Sequence, residues 1–408
     1  MSLLKFFLSR PANRLGPGLL AMLLLARCAC PALAMEVSGS LAAEGRLFVH
    51  TPQFAEQRSQ SASVALDGEF YHRLADGSSF ILAAFARLDS ADKERSHVDL
   101  REANYLHLGD DWQLRLGLGK VFWGACEFVH LVDIINQTDL VEALDGEEKL
   151  GQPMAQLALV RDWGVIDLFW LPAFRERTFA GRKGRLRSEP LVDVDHPLYE
   201  SGSEELHQDV ALRYSHWLGP LDFGLSWFRG TSREPFFRPG LDSRGRPLLR
   251  PLYEQITQTG IDLQGVAGAW LLKGEALYRS GFGRDFAAAT CGFEYTCYAL
   301  FENRLDLGII GEYVFDDRQK ERQVLFDNDL MVGLRLAFNN AASSEILLGL
   351  VQDLDHSARL LTIEAGHRLN NSWRIDVEAA LFMDAAPSQV DRALADDDFV
   401  KMELRYYF

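Results

Sequence analysis

Charged side chains of both signs recur at alternate positions along the chain, and this spacing suits electrostatic sorting of solutes rather than bond making. The residues that stand out are Arg101, Arg115, Asp306, Glu312 and Arg335, of which Arg115, Asp306 and Arg335 are each set between two leucines. A second group, Asp133, Asn136 and Asp139, sits in a segment that continues into Glu142, Asp145, Glu147 and Glu148. Catalytic spacings are absent: the sequence has no His-Glu-x-x-His, Gly-x-Ser-x-Gly, Walker or Cys-x-x-Cys-His stretch. No enzyme, metal or cofactor is therefore expected. A barrel hydrolase would need a Ser-His-acid cluster assembled from separate strands.

Placing such charges on one face requires extended strands. Leu305, Leu307, Ile309, Tyr313 and Phe315 share one face, with Asp306 and Glu312 on the other. Leu330, Val332, Leu334, Leu336 and Phe338 repeat the pattern opposite Asp329 and Arg335. So do Trp373, Ile375, Val377, Ala379 and Leu381 opposite Arg374, Asp376 and Glu378. A soluble sandwich also alternates. Charges of both signs on the weaker face, with aromatics near the ends of the apolar face, are instead the mark of a lipid-facing strand around a wet interior.

Turn spacing predicts the strand count. Short turns fall near 75–77, 109–111, 162–164, 219–220, 267–268, 302–304, 339–340 and 370–371. The opposite connections fall near 50–60, 89–96, 124–152, 174–206, 230–255, 281–290, 316–326, 355–357 and 384–396. Eight turns and nine loops join eighteen strands, or sixteen if the segments around 36–50 and 256–265 are not strands. The expected fold is all-β, a closed antiparallel transmembrane β-barrel with short periplasmic turns and long extracellular loops.

The ends agree with this reading. Lys5, Arg10 and Arg14, the apolar run Leu19 to Leu25 and Ala32-Leu33-Ala34 have the form of a secretory signal peptide over residues 1–34, leaving 35–408 as the barrel. That places the protein in a Gram-negative outer membrane. At the other end Leu404, Tyr406 and the terminal Phe408 share an apolar face, which resembles the strand signal read by the outer-membrane barrel assembly machinery.

Composition removes other classes. With 38 basic and 58 acidic residues, residues 35–408 carry 38 − 58 = −20, so no nucleic acid is expected as a partner. Beyond the N-terminus no apolar stretch reaches the roughly 18 residues of a membrane helix. The 26 Phe, 11 Tyr and 8 Trp argue against disorder. Cys291 and Cys297 lie six apart on one expected strand, out of disulfide reach unless the segment folds back.

Two stretches resemble a porin-like, largely uncharacterised family of Gram-negative outer-membrane barrels. The first runs from Leu100-Arg101-Glu102-Ala103-Asn104-Tyr105 through Leu114-Arg115-Leu116-Gly117 and Trp123-Gly124 to Asp133-Ile134-Ile135-Asn136-Gln137-Thr138-Asp139. The second is Gly292-Phe293-Glu294-Tyr295-Thr296, then Asp306-Leu307-Gly308, Glu312-Tyr313 and Asp316-Asp317-Arg318. Gln137, Leu118-Gly119 and Cys297 depart from the pattern. The resemblance implies passage of small or apolar molecules, either as a channel or as a barrel component or exit port of a multiprotein envelope system for lipids or hydrophobic compounds. The implied surroundings are outer-membrane lipid and lipopolysaccharide, with periplasmic transport partners in the second case.

The connection at 124–152 is the first functional candidate, since loops this long are seldom mere connectors. Its first half is too apolar for water and its second half is acidic. We expect it to fold against the wall and narrow the bore, or to cap the mouth as a helix. Basic clusters at Arg182, Lys183, Arg185 and Arg187, and at Arg233, Arg238, Arg244, Arg246 and Arg250, suit lipopolysaccharide phosphates or a solvated run.

Overall fold

The computed structural model describes residues 35–281, 283–318, 324–384 and 393–408. The proposed signal segment, residues 1–34, lies outside the described residues. Twenty-two strands run in chain order. In the first half they are β1 (Met35–Phe48), β2 (Gln60–Arg73), β3 (Ser79–Asp89), β4 (His97–Leu108), β5 (Trp112–Gly119), β6 (Gln152–Arg161), β7 (Gly164–Leu171), β8 (Leu191–Val192), β9 (Leu198–Tyr199), β10 (Asp209–Leu218) and β11 (Leu221–Thr231). In the second half they are β12 (Phe236–Leu241), β13 (Pro247–Tyr253), β14 (Gln255–Ala267), β15 (Trp270–Ser280), β16 (Phe286–Ala299), β17 (Leu305–Asp316), β18 (Asn328–Ala337), β19 (Glu345–Asp353), β20 (Arg359–Arg368), β21 (Trp373–Met383) and β22 (Phe399–Tyr407).

Eighteen of them form one antiparallel sheet in which each strand pairs with the next. The ring closes between β1 and β22, from Ser40 opposite Tyr407 to Phe48 opposite Phe399. Closure leaves no sheet edge unpaired, which a backbone in hydrocarbon requires. Both strands that would have reduced the count to sixteen are formed, as β1 and β14. The eight short turns fall where the turn residues place them, because turn chemistry and period-two patterning are both local, whereas the loop expected over 281–290 ends earlier, with β16 beginning at Phe286, and those at 316–326 and 384–396 lie partly outside the described residues.

The faces separate as the alternation requires. In β18 Leu330, Val332 and Leu334 are each more than 40% exposed on the outside, whereas the intervening Met331 is fully buried inside. Trp163, Trp217, Trp270, Trp373, Tyr406 and Phe408 are all exposed around the short-turn end. This belt has the form of an aromatic girdle at a membrane interface.

The remaining strands, β8, β9, β12 and β13, lie in the loops. β12 and β13 form a hairpin inside loop 232–254, and β8 and β9 of loop 172–208 add to it in parallel. This small sheet joins two loops at the mouth.

Candidate functional site

The loop leaving β5 turns inward across the lumen, and the sequence sets both its root and its tip. At the root Asn136 accepts from the Val121 N–H (2.8 Å) and donates to the Gly119 and Leu150 carbonyls (2.9 and 2.8 Å), closing the neck of the loop. Gly124, at φ +150°, lets the backbone pass close to the wall, where an added Cβ would meet Glu275 Oε1 at 3.1 Å.

Two wall carboxylates then grip the backbone. Glu275 of β15 accepts from the N–H groups of Ala125 (2.7 Å), Cys126 (2.9 Å) and Val132 (3.2 Å). Glu312 of β17 accepts from Glu127 N–H (2.6 Å) and Phe128 N–H (3.0 Å). Each carboxylate thus satisfies peptide donors that an interior loop would otherwise strand. Glu127 is fixed in turn by Lys273 (3.2 Å) and Arg335 (2.5 Å). Phe128 reaches Gly333 in β18 and Gly349 in β19, and its ring lies 3.3 and 3.1 Å from where their Cβ atoms would stand. β18 is the ninth barrel strand after β5 in a ring of eighteen, so the loop spans the full lumen.

Its return is pinned by a buried ionic cluster. Asp139 pairs with Arg101 of β4 (2.7 Å) and accepts from the Thr178 hydroxyl (2.7 Å). Burial alone would raise the Asp139 pKa, but the His97 hydrogen bond and the Arg101 charge hold it well below the usual carboxylate range. Glu142 pairs with Arg87 (2.8 Å), which also reaches Glu44 of β1 (3.1 Å), and Glu44 takes Arg95 (2.8 Å). Asp133 pairs with Lys149 (2.9 Å) within the loop, and burial pushes its pKa up despite that partner. On the β6 to β16 side, Trp123, Val132, Ile134 and Ile135 of the loop pack on Phe169, Phe228, Leu277 and Phe286 of the wall. That side of the bore is filled.

The residues singled out from sequence therefore meet on this loop, with two exceptions. Arg101, Asp133, Asn136, Asp139, Glu312 and Arg335 all anchor or form the crossing. Arg115 touches only its root, donating to the Lys120 carbonyl at 3.4 Å. Asp306 is apart, at the short-turn end, where it accepts from the Ala299 N–H at 2.7 Å. Glu275 is not among the residues singled out: period two puts it on the inward face of its strand, as it does other acids, and gives no sign that it is the one that grips the loop. Glu44, Arg87 and Arg95 lacked even that signal. The crossing loop contains no helix, so the cap by a helix is not what forms.

A clasp joins the two halves of the loop. His130 Nε2 lies 2.6 Å from Glu147. Burial pulls the His130 pKa down, but the bond to Glu147 and its charge outweigh that and leave it raised. The same bond lowers Glu147. A raised histidine stabilises below its unfolded pKa and loses that contribution as pH climbs through the folded value, whereas a lowered Glu keeps its contribution above its unfolded pKa. The clasp is therefore held from mildly acidic to near-neutral pH. Amide exchange across 128–149 is expected to quicken as pH rises through the His130 titration, beyond the intrinsic rate increase, and the excess is expected to vanish in His130→Phe.

Water remains along β19 to β22. Glu345 and Glu364 point inward yet are exposed, and Asp145 and Glu148 of the loop are exposed too. An inward-facing residue open to solvent marks the residual bore. Most of its cations are paired, Arg374 with Glu345 (3.1 Å) and Asp376 (2.7 Å), Lys401 with Glu378, and Arg405 with Glu403 (2.6 Å), while Arg368, on the same face of β20 as Glu364, has no ion pair among the described residues and lies toward the short-turn end. Glu364 has no ion pair among the described residues and stands directly opposite Glu378 in register. Although Asp145 meets solvent, the enclosing wall desolvates its carboxyl and pushes the pKa up, and the Glu378 charge adds to the rise. Both sides of this passage are acidic.

A second loop covers the mouth. Residues 172–208 cross from β7, and Arg185 pairs with Asp397 next to β22 at 2.5 Å, both side chains 1% exposed. The Leu186 N–H donates to the same Asp397 (2.6 Å), and the Gly181 N–H donates to Asp92 (2.8 Å). The guanidinium groups of Arg185 and Arg187 lie 4.5 Å from the ring centres of Phe48 and Phe54. Only Arg182 and Lys183 of that basic cluster stay exposed. The run is a fastening strap rather than a solvated patch.

A closed 18-strand barrel with an inward-folded loop is the fold of the outer-membrane porins. The chain is similar to a BenF-like porin from Pseudomonas fluorescens Pf-5, with 9% identity over 92% of this chain and 98% of that one and a TM-score of 0.54. It also matches Pseudomonas aeruginosa OpdQ (11% identity, 92% and 96% coverage, TM-score 0.48) and Pseudomonas putida OprB (10%, 92% and 94%, 0.47). No protein-family model and no curated protein matches the sequence.

Proposed function

We propose that this protein is an outer-membrane, porin-like channel that passes small solutes along the β19 to β22 side of its lumen and favours cations there. The observation that carries the reading is Glu364, an inward-facing, solvated carboxylate with no ion pair among the described residues, opposite Glu378 and on the side of the bore that faces Asp145. Unneutralised acids in a narrow, low-dielectric passage raise the local concentration of cations. The outward exposure of Leu404, Tyr406 and Phe408 supports insertion by the assembly machinery among outer-membrane lipid and lipopolysaccharide, and the basic and apolar pattern of residues 1–34 is the support for export through a cleaved leader.

The test is conductance in planar bilayers. Discrete steps are expected, with a reversal potential in a KCl gradient that gives a K+ to Cl− permeability ratio above 1. Glu364→Gln is expected to lower that ratio roughly two- to threefold. A second reading, the exit port of an envelope transport system working with periplasmic partners, draws on the strap over the mouth. Folded protein that never conducts and co-purifies with such partners would transfer the assignment to it.

A further inference from the structure

Above the crossing loop, toward the mouth, lies a cavity of about 590 Å³. That is within the usual range for a small-molecule site of roughly 300 to 1,000 Å³. One side is apolar: Phe236, Phe237 and Leu249 come from loop 232–254, Leu325 and Phe326 from the loop after β17, and Phe128 from below. The other side carries charge, and most of that charge is already committed. Arg279 and Arg318 share Glu234 (3.2 and 2.9 Å), Arg318 also takes Asp316 (2.6 Å), and Lys149 takes Asp133.

Two guanidinium groups of the lining are not fully used. Arg177 donates through Nε to Gln137 Oε1 at 3.1 Å and has no carboxylate partner among the described residues. Burial lowers the Arg177 pKa, and the carboxylate nearest in influence is Glu234, which two other arginines already share. Arg233 is 3% exposed, and its Nη1 is spent on Asp209 (2.7 Å) and the Thr231 carbonyl (2.7 Å). Its Nη2 is buried with no acceptor. A buried donor on a charged group is costly to leave without an acceptor. An anion in the cavity would offset that cost and the desolvation of Arg177 together, while its hydrocarbon part covered the phenylalanines.

We propose that this vestibule binds an organic monoanion with an apolar body, a carboxylate or sulfonate on a ring or short hydrocarbon, held by Arg177 and Arg233 Nη2. As a capture site on the path to the acidic passage it rests on the channel reading, whereas binding itself does not. The vestibule then acts as a filter distinct from the cation-favouring bore. Such an anion waits above the crossing loop, and its onward passage depends on that loop or on a cation travelling with it.

The experiment is calorimetric titration of the purified full-length barrel with 4-toluenesulfonate, against benzylammonium and methanesulfonate as the matched cation and the anion without a ring. Saturable binding of toluenesulfonate alone is expected. Arg177→Gln is expected to weaken it at least tenfold, with Arg177→Lys in between and heat-modifiable gel migration unchanged. Phe237→Ser, which removes a ring from the apolar side and no charge, is expected to weaken toluenesulfonate severalfold while leaving methanesulfonate unaffected. Equal binding of benzylammonium, equal binding of methanesulfonate, or full affinity in Arg177→Gln overturns the proposal. Single-channel recording on the same samples reports the channel reading separately, so a barrel that binds without conducting fails only that reading.

Discussion

Glu312→Ala is expected to raise single-channel conductance about two- to fivefold and to blunt ion preference, because an 18-strand lumen is wide unless something fills it. Glu312 accepts the Glu127 and Phe128 N–H groups at the point where the loop reaches the far wall. Hydrogen bonds to a charged group contribute about 1.5 to 3 kcal/mol each, and the alanine variant leaves both donors without a partner inside the barrel. The remaining holds at the tip are the Glu127 ion pairs with Lys273 and Arg335 and the packing of Phe128 against Gly333 and Gly349. Glu275 keeps Ala125, Cys126 and Val132, so the hinge survives and the tip lifts. Glu312→Gln retains an acceptor without the charge and should fall between. Unchanged conductance in correctly folded Glu312→Ala would show that the Glu312 hydrogen bonds do not hold the tip in place.

Reversing either end of the strap is expected to free it, and reversing both is expected to restore it. Arg185→Asp sets two acids against each other at a site where both side chains are 1% exposed, and Asp397→Arg sets two cations there. Breaking a buried pair in this way costs about 3 to 5 kcal/mol, because the surviving charge stays desolvated. Each single variant should be cut by trypsin within 172–208 at least tenfold faster than the parent. The double exchange should recover part of the protection but not all of it. Asp397 also accepts the Leu186 N–H, and Arg185 lies over Phe48, and neither contact transfers with the charge. Proteolysis at the parental rate in both single variants would mean that the strap does not depend on this pair.

The barrel was legible because its signals are local. Alternation fixes the face of each residue, and pairs such as Asn339-Asn340 and Asn370-Asn371 mark the ends of strands whatever lies across the lumen. The strand count, the turns and the inward set followed from those signals. The grip on the crossing loop did not, because it depends on where a backbone runs once it leaves its own strands. Glu275 and Glu364 both appear as inward acids between apolar neighbours, yet one binds three peptide N–H groups and the other faces water. Arg185 and Arg187 looked like a solvated run because charge density is visible in sequence, whereas the partners that bury them, Asp397, Phe48 and Phe54, lie far away along the chain. The small sheet of β8, β9, β12 and β13 escaped for the same reason, since its parallel pairs join two different loops.

Glu275 stands 150 residues from the Ala125 it holds, and Arg185 stands 212 from Asp397. The first joins the loop after β5 to β15 and the second needs the segment leading into β22, so the interior is furnished late in folding. Contacts of such long sequence separation are slow to form. A chain halted before that last segment arrives therefore lacks the strap over its mouth even where the crossing loop has already found β15.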